Sequence, residues 1–175
     1  CAASGGKSIL LFDRLNGHVQ LTVSDIRENI LVNLRNRLGQ AGININRCFS
    51  ANLSVSSGLK QAEKFNIIIC DVPCSGSGTW SRTPEQLCYF DAGKISHYKS
   101  LQQQVVSNTV HHLQQGGLFF YITCSVFSDE NEQVISFMLN RFPFLELMKS
   151  GYLPGYGMAA DTMYVAVLRK NGQPG

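Results

Sequence analysis

Apolar residues occur along the chain at two alternating spacings, which predict a succession of strands and helices. Apolar residues at every second position predict a strand over 19–25, and apolar residues at every fourth position predict a helix over 26–38. The same criteria give helices over 8–15 and 59–64, and strands over 44–49 and 67–70. The first half of the chain is therefore predicted to alternate between the two types of element.

The alternation continues through the second half of the chain. Helical spacing over 98–113 predicts a helix that Gly116 and Gly117 end, and an aromatic-rich strand follows up to Thr123. The remaining elements are a helix that Ser128 and Asp129 cap and that stops before Pro143, and two strands over 144–148 and 162–168. Alternating strands and helices predict an α/β fold with a mostly parallel sheet and helices on both of its faces.

The composition is typical of one globular domain. The chain has 175 residues, of which 44% are hydrophobic and 15% are charged. We expect one domain over residues 1–170 and a disordered tail over 171–175. No apolar stretch approaches the ~20 residues that span a bilayer, and no signal-peptide pattern is visible, so a cytoplasmic monomer without a membrane partner is expected. The net charge of +3 permits a polyanionic partner without requiring one.

The six cysteines are predicted to be free thiols. They lie at positions 1, 48, 70, 74, 88 and 124, without the short paired spacings of a disulfide-rich domain or the Cys-x-x-Cys pairs of a zinc site. Free thiols are typical of a reducing compartment, which again favours the cytoplasm. We therefore expect no metal site.

Cys74 and Cys124 are the two cysteines best placed for chemistry. Each follows a strongly apolar run, which is the composition of a strand buried on both faces of a parallel sheet. Asp71 precedes Cys74 at the end of the same strand. Because ligands of open α/β sheets bind beyond the carboxyl ends of the strands, both thiols and this carboxylate are expected at one binding edge.

The segment Cys1–Lys7, with the sequence CAASGGK, is a glycine loop that leads into a helix. Its backbone N–H groups are suited to anionic ligand groups, and Asp25, at the end of the next strand, is placed to hydrogen-bond a ribose diol. A nucleoside-containing cofactor is therefore expected. Such a loop normally follows a strand, so we also expect these residues to lack the first strand of their fold.

Several motifs together resemble a known family of enzymes. They are CAASGGKS at residues 1–8, Asp25, DVPCSGSGT at 71–79, RTPE at 82–85, QGG at 115–117, and YITCS at 121–125 followed by Glu130, Asn131 and Glu132. In this order, over roughly residues 1–170, they resemble the RNA (cytosine-5) methyltransferases of the Sun type. The resemblance implies a Rossmann-like class I methyltransferase fold, and the paired Pro-Cys and Thr-Cys motifs are its most specific part.

The resemblance implies S-adenosylmethionine as the cofactor. Its methionine and ribose portions would lie against Cys1, Ala2, Ala3, Ser4, Gly5, Gly6 and Lys7. Asp25 would bind the ribose, Asn52 would lie near the adenine, and Asp71 would lie near the methyl donor and the target base. Asn52 stands where the family usually has an acidic residue, and Ser4 where it usually has proline. Asn52 still offers the cofactor one hydrogen-bond acceptor and one donor group.

The resemblance also implies the reaction, which is transfer of a methyl group to C5 of a cytosine in RNA, with ribosomal RNA as the expected partner. Cys124 would add to C6 of the ring and make C5 nucleophilic, which divides a difficult step into easier ones. Cys74 would assist removal of the C5 proton and release of Cys124. Asp71 would support the base by hydrogen bonding.

Three other functions stay open at this point. In a DNA cytosine methyltransferase, Cys74 and not Cys124 would attack the ring. An inactive module of the same fold would bind cofactor or RNA without transferring a methyl group, and Asn52 keeps this possibility open. A thiol redox protein would use the two thiols as a dithiol, but such proteins carry a Cys-x-x-Cys pair at the start of a helix.

Overall fold

A computed structural model describes residues 2–56, 59 and 63–172, which form two compact units that divide between Leu53 and Ser54. The first unit contains helix α1 (Gly6–Arg14), strand β1 (Leu21–Asp25), helix α2 (Glu28–Gln40) and strand β2 (Ile45–Ser50). The two strands pair in parallel, with Asp25 opposite Ser50. Each element predicted for this part of the chain is present, within two residues of its predicted bounds.

An apolar cluster between helices and strands holds the first unit together. Leu21 of β1 is 5% exposed, and Leu34 and Leu38 of α2 are fully buried in the same cluster. Helix α2 buries Leu31 as well, whereas Ile26 precedes the helix and lies largely in solvent. The predicted helical period is therefore correct, and only the start of the apolar stripe differs.

The second unit is built on a four-stranded sheet and two helices. The strands are β3 (Phe65–Asp71), β4 (Leu113–Thr123), β5 (Leu145–Leu153) and β6 (Met163–Lys170), and the helices are α3 (Gly93–Thr109) and α4 (Glu132–Arg141). The spatial order is β3-β4-β6-β5, with β3 and β4 parallel and β6 antiparallel to both of its neighbours. Short 3₁₀ turns cover Ser77–Thr79, Pro84–Tyr89, Val110–His112 and Ser128–Glu130. The predicted α/β class is confirmed.

Strand β4 has a paired strand on each side. Its Phe119 and Tyr121 are fully buried, as are Val106 of α3 and Met138 of α4. The two helices pack against each other. A strand with neighbours on both sides and helices against the sheet has little contact with water, which explains the strongly apolar sequence of β4.

The boundary between α3 and β4 differs most from the sequence prediction. The helix predicted over 98–113 ends at Thr109, and Leu113 is already the first residue of β4. An apolar residue at that position fits the helical spacing as well as a strand, so the pattern alone extends the helix too far. Gly116 and Gly117 lie inside the strand, where Gly116 has a φ of +75° and the β3–β4 register shifts. These glycines form a strand irregularity and do not end the helix.

The turn before α4 also differs from the prediction. Ser128 and Asp129, predicted as helix caps, belong to the 3₁₀ turn Ser128–Glu130. The N-cap position of α4 is Asn131, whose side chain makes no capping hydrogen bond. Its amide is used elsewhere, in a buried network that lies beside the candidate site.

Two predicted segments lie partly outside the described residues. These are residues 60–62 of the helix predicted over 59–64, and residues 173–175 of the tail predicted over 171–175. Asn171 donates its backbone N–H to the Phe144 carbonyl (2.8 Å) and its side-chain amide to Glu146 (2.9 Å). One domain over 1–170 stays a prediction. In the described ranges, no helix is both long enough and apolar enough to cross a membrane.

Gly117 provides a test of the strand irregularity. A Cβ at this position would lie 2.8 Å from the Asn66 carbonyl oxygen and 2.9 Å from that of Gln114. Because both neighbours are backbone atoms that cannot move aside cheaply, Gly117→Ala is expected to lower the free energy of unfolding by about 1–3 kcal/mol. Gly151→Ala is the matched control, since a Cβ there meets no atom within 4 Å. Equal urea midpoints for the two variants would contradict the assignment.

Candidate active site

The thiols of Cys74 and Cys124 lie side by side at one edge of the second unit. Strands β3 and β4 run in parallel with Asp71 opposite Ile122, so they end together. Cys74 follows β3 by three residues and Cys124 follows β4 directly. Their Sγ atoms are 3.4 Å apart, and both residues are half-buried. The structure therefore brings together two thiols that are 50 positions apart in the chain.

Gly78 packs the backbone of three loops closely together beside the thiols. Its N–H donates to the Cys124 carbonyl (2.8 Å), and its carbonyl accepts from the Thr162 N–H (3.0 Å). A Cβ on Gly78 would lie 2.0 Å from the Thr162 oxygen. The absence of a side chain at Gly78 therefore allows close approach of the protein's own backbone.

The two thiols influence each other electrostatically. The hydrogen-bonded Cys124 thiol, the burial of the site and the negative charge of Cys124 as a thiolate all raise the pKa of Cys74 above its usual range. Cys70 lies inside β3, where burial raises its pKa to about 11. The hydrogen bond between the thiols and their burial therefore oppose ionisation of both cysteines at the same time.

A cluster of serine hydroxyls follows the two cysteines in the chain. Ser75 and Ser125, each directly after a cysteine, have their Oγ atoms 3.3 Å apart, and Ser77 Oγ lies 3.2 Å from Ser75 Oγ and 3.3 Å from Ser125 Oγ. The carboxylate of Glu130 accepts hydrogen bonds from Ser75 and Ser125. Glu130 is fully buried. One carboxylate therefore contacts both cysteine-bearing loops.

Asn131 holds the Cys124 loop from a second direction. Its Oδ1 accepts from Thr123 Oγ1 (2.6 Å), and its Nδ2 donates to the Ser125 carbonyl (2.8 Å). Both bonds flank Cys124 in the chain. The sequence analysis gave no role to Asn131, Ser75 or Ser125. A serine directly after each of the two cysteines is a signal from which the role of Ser75 and Ser125 could have been predicted.

The third residue predicted for catalysis, Asp71, is the last residue of β3 and is half-buried. The backbone just after it is anchored, since the Val72 N–H donates to the Ile122 carbonyl (3.1 Å). Asp71 therefore lies at the same sheet edge as the thiols. Its predicted catalytic and cofactor roles stay predictions.

In the first unit, three segments predicted to bind the cofactor meet at the carboxyl edge of β1 and β2. The Ala2 N–H donates to the Ser24 carbonyl (2.9 Å), and the Ala3 N–H donates to Asp25 Oδ2 (3.1 Å). The Ala51 N–H donates to the Asp25 carbonyl (3.1 Å), which places the exposed Asn52 just beyond the same edge. The glycine loop, Asp25 and Asn52 are therefore near one another, as the prediction requires.

The remaining residues of the glycine loop lead into α1. Gly5 is its N-cap with a φ of +85°, and Gly6 and Lys7 begin the helix. Ser4, where a proline is usual, accepts hydrogen bonds from Arg37 at its carbonyl (3.0 Å) and its hydroxyl (2.8 Å). Cys1 lies outside the described residues.

The carboxylate of Asp25 is already fully hydrogen-bonded by protein groups. Arg27 donates its backbone N–H (3.0 Å), its Nε (3.0 Å) and its Nη2 (3.3 Å), in addition to the bond from Ala3. Burial by itself raises the pKa of Asp25, but these hydrogen bonds outweigh it and lower the pKa to about 2. A carboxylate has about four lone-pair directions, so a ribose diol could bind Asp25 only by replacing Arg27. Sequence reasoning did not foresee this ion pair.

Among residues 2–56, 59 and 63–172, no group of three or more His, Cys, Asp or Glu side chains could hold a metal ion.

Comparison with known proteins identifies a family. The family described as 16S rRNA methyltransferase RsmB/F matches residues 1–169. The chain is 29% identical to the probable ribosomal RNA small subunit methyltransferase B of Coxiella burnetii, over 98% of the chain and 43% of that protein. It is 26% identical to the human tRNA (cytosine(72)-C(5))-methyltransferase NSUN6, over 90% of the chain and 36% of that protein.

A solved structure shares the fold. NSun6 from Pyrococcus horikoshii with SFG superimposes with a TM-score of 0.85 at 20% identity, over 99% of this chain and 47% of that one. This likeness confirms the Rossmann-like methyltransferase fold. The chain spans less than half the length of each of these proteins.

Asp25→Asn tests the ion pair. The new amide would direct N–H groups at the N–H donors of Ala3 and Arg27, so a loss of about 1–3 kcal/mol in the free energy of unfolding is expected at neutral pH. Because the folded pKa of about 2 lies below the ordinary 3.8, the stability that the carboxylate adds is present above pH 3.8 and is lost as the pH falls through 2.

Urea unfolding of the parent and the Asp25→Asn variant at neutral pH and near pH 2 measures this effect. The stability difference is expected to shrink at the lower pH. Asp13→Asn, at an exposed position of α1, serves as the control that changes the same charge in the same unit. A stability difference between the parent and the Asp25→Asn variant that is independent of pH would argue against the ion pair.

Proposed function

We propose, from the premise that this chain belongs to the 16S rRNA methyltransferase RsmB/F family, that it transfers a methyl group to C5 of a cytosine in RNA, with S-adenosylmethionine as the methyl donor. Ribosomal RNA is the first candidate substrate. The observation that carries the proposal is the 3.4 Å separation of the Cys74 and Cys124 sulfur atoms at the ends of two adjacent parallel strands. Two thiols this close can act on one pyrimidine ring.

The reaction requires two opposite tasks of the thiols. C5 of cytosine is a weak nucleophile, so a thiolate must first add to C6, which forms an S–C6 bond and moves an electron pair toward C5. S-adenosylmethionine, when bound, supplies the methyl group that C5 accepts. The C5 proton then leaves to a base, the electron pair re-forms the C5–C6 double bond, and the S–C6 bond breaks.

The two cysteines are assigned different tasks. Because the two thiols lie within hydrogen-bond distance, one can be a thiolate while the other keeps its proton, and the family resemblance assigns Cys74 to proton transfer and release of the product. By the same resemblance Cys124, in the Thr-Cys-Ser motif of residues 123–125, is the nucleophile that adds to C6. This division is that of the RNA-type reaction, whereas in the DNA-type alternative Cys74 would attack. Asp71, at the same sheet edge, would support the proton transfer by hydrogen bonding.

The first unit carries groups that fit the proposed cofactor. The N-terminus of α1 presents backbone N–H groups at Gly6 and Lys7, where a carboxylate is favoured, and a Cβ at Gly6 would meet no atom within 4 Å. The segment Ala2–Lys7 would hold the methionine portion, Asn52 the adenine side, and Asp25 the ribose. The last assignment requires that Arg27, whose side chain is 57% exposed, releases Asp25.

The substrate strand must present an unstacked base. A cytosine in a duplex hides C6 from a thiol, so single-stranded loops or a flipped base are the accessible targets. The named relatives act on ribosomal RNA in one case and on tRNA in the other. Methylation assays with ribosomal RNA and with tRNA separate the two substrates. A cytoplasmic location and a monomeric state stay predictions.

Variants of the two cysteines test the proposed mechanism in the full-length protein. Cys124→Ala is expected to abolish transfer of tritiated methyl groups from S-adenosylmethionine to RNA, because no other group adds to C6. Cys74→Ser is expected to stop the reaction after addition and to accumulate a covalent RNA–protein adduct on denaturing gels. The Cys74→Ser/Cys124→Ala double variant is expected to form no adduct.

Cys88→Ser is the matched control, since Cys88 is an exposed thiol in the 3₁₀ turn Pro84–Tyr89. Two results would contradict the roles assigned to the two cysteines: activity of Cys124→Ala within about tenfold of the parent, or an adduct that survives in the double variant. An adduct lost in Cys74→Ser alone would favour the DNA-type mechanism. Absence of both transfer and adduct in the parent would favour the inactive module.

Arg27→Ala tests the role of Asp25 in cofactor binding. If the ribose must displace the Arg27 guanidinium, removing the guanidinium is expected to tighten S-adenosylmethionine binding about fivefold. This corresponds to about 1 kcal/mol of binding free energy, the value of a partly exposed ion pair. Calorimetric titration measures the Kd, with Arg14→Ala at an exposed position of α1 as the control of equal charge. Weaker binding by Arg27→Ala would show instead that Arg27 itself contacts the cofactor.

A further inference from the structure

Glu130 is a buried charged residue beside the thiols that the proposed reaction does not use. Its relative exposure is 0%, and no Lys or Arg in the described ranges forms an ion pair with it. An ionised carboxylate in such a place is costly unless several hydrogen-bond donors surround it. The identity of those donors shows what Glu130 does.

Two of the residues that donate to Glu130 directly follow the two cysteines in the chain. Oε1 accepts from the Ser75 backbone N–H (2.8 Å), and Oε2 accepts from the Ser75 hydroxyl (2.6 Å) and from the Ser125 hydroxyl. Ser75 follows Cys74, and Ser125 follows Cys124. The carboxylate therefore bridges the residues directly after the two cysteines.

Gln102 extends the same network to the other side of Cys74. Its Nε2 donates to the Pro73 carbonyl (2.9 Å) and to Glu130 Oε1 (3.3 Å). In this orientation its buried Oε1 has no hydrogen-bond partner within the described part of the chain. The two hydrogen bonds that Gln102 Nε2 donates thus outweigh the free-energy cost of leaving Gln102 Oε1 without a partner. Both chain neighbours of Cys74, Pro73 and Ser75, are held by this network.

Glu130 is itself anchored to the sheet. Its backbone carbonyl accepts from the hydroxyl of Tyr121 (2.5 Å), a fully buried residue of β4. The next residue, Asn131, binds Thr123 and Ser125 on either side of Cys124. The carboxylate therefore reaches the cysteine loops from a fixed point on β4.

We propose that Glu130 is a positioning residue that sets the separation of the Cys74 and Cys124 thiols by bonding Ser75 and Ser125 at once. This role rests on the proposed function, because a fixed separation matters when one thiol adds to the ring and the other assists its release. Glu130 does not contact the ring. It acts through the two serines, and its removal leaves both thiols present but loosely spaced.

Glu130→Gln tests the role in the full-length protein. Glutamine keeps the shape of the side chain but removes the charge and replaces one acceptor oxygen with an N–H₂ group that cannot accept from both serines. Phenylarsine oxide measures thiol spacing without RNA or cofactor. Each thiol forms one As–S bond, and the two thiol protons leave with the arsenic-bound oxygen as water.

Bridging by one arsenic atom requires both sulfurs within its reach at the same time. Glu130→Gln is therefore expected to weaken phenylarsine oxide binding by about tenfold or more, because loosening the loops lowers the effective concentration of the second thiol. Cys74→Ser, which has lost one of the two thiols, gives the background of single-thiol binding. Glu146→Gln, in an exposed ion pair with Arg169, is the matched control and is expected to bind like the parent.

The kinetic measurement separates positioning from general damage to the fold. Glu130→Gln is expected to lower kcat about 100-fold, as a misplacement of about 1 Å does, and to leave both KM values within about twofold. If this variant fails to fold by circular dichroism, Ser125→Ala removes the hydrogen bond that joins the Glu130 carboxylate to the Cys124 loop, and a smaller change in the same direction is expected.

Parent-like arsenical affinity in Glu130→Gln, or in Ser125→Ala if the first variant is unfolded, would overturn the proposal. Parent-like kcat in a folded Glu130→Gln variant would do the same. A parent protein that transfers no methyl group contradicts the proposed function alone, since the arsenical comparison still decides whether Glu130 spaces the thiols.

Discussion

A carboxylate buried away from water must be surrounded by donors, and the candidate active site depends on how Glu130 meets this requirement. Its donors are Ser75, Ser125 and Gln102, so the loops that carry Cys74 and Cys124 are drawn to one point. A neutral apolar residue in the same place would fill the space without joining the loops. The cost of burying the charge is thus linked to the spacing of the thiols.

Asp25 organises the first unit by the same principle, with a different consequence. It gathers Ala3 from the glycine loop and Arg27 from the turn after β1. Two partners of Glu130, Ser125 and Gln102, are buried, whereas the Arg27 side chain is largely exposed, so another hydrogen-bond donor can reach the buried Asp25 by displacing it. Glu130 is therefore suited to hold a geometry, and Asp25 to exchange one partner for another.

Much of the fold was predictable, because hydrophobic spacing reports which side chains face a core. The apolar runs before Asp71 and Cys124 are adjacent parallel strands, as their composition indicates. The prediction was wrong where one spacing fits two structures: Leu113 continues the helical pattern of α3 but begins β4. Ser128 and Asp129 resemble helix caps, yet they form a 3₁₀ turn, since capping depends on backbone direction as well as residue type.

The sequence by itself determined the α/β class, the family and the choice of Cys74 and Cys124, because strand composition and short motifs are local properties of the chain. Only the tertiary structure decided that the two sulfurs lie 3.4 Å apart, that Gly78 packs against Thr162, and that the Arg27 side chain donates hydrogen bonds to the Asp25 carboxylate. Ser75 and Glu130 are separated by 55 positions. Hydrogen bonds over such distances leave no periodic trace in the sequence, since they depend on where the strands place their ends.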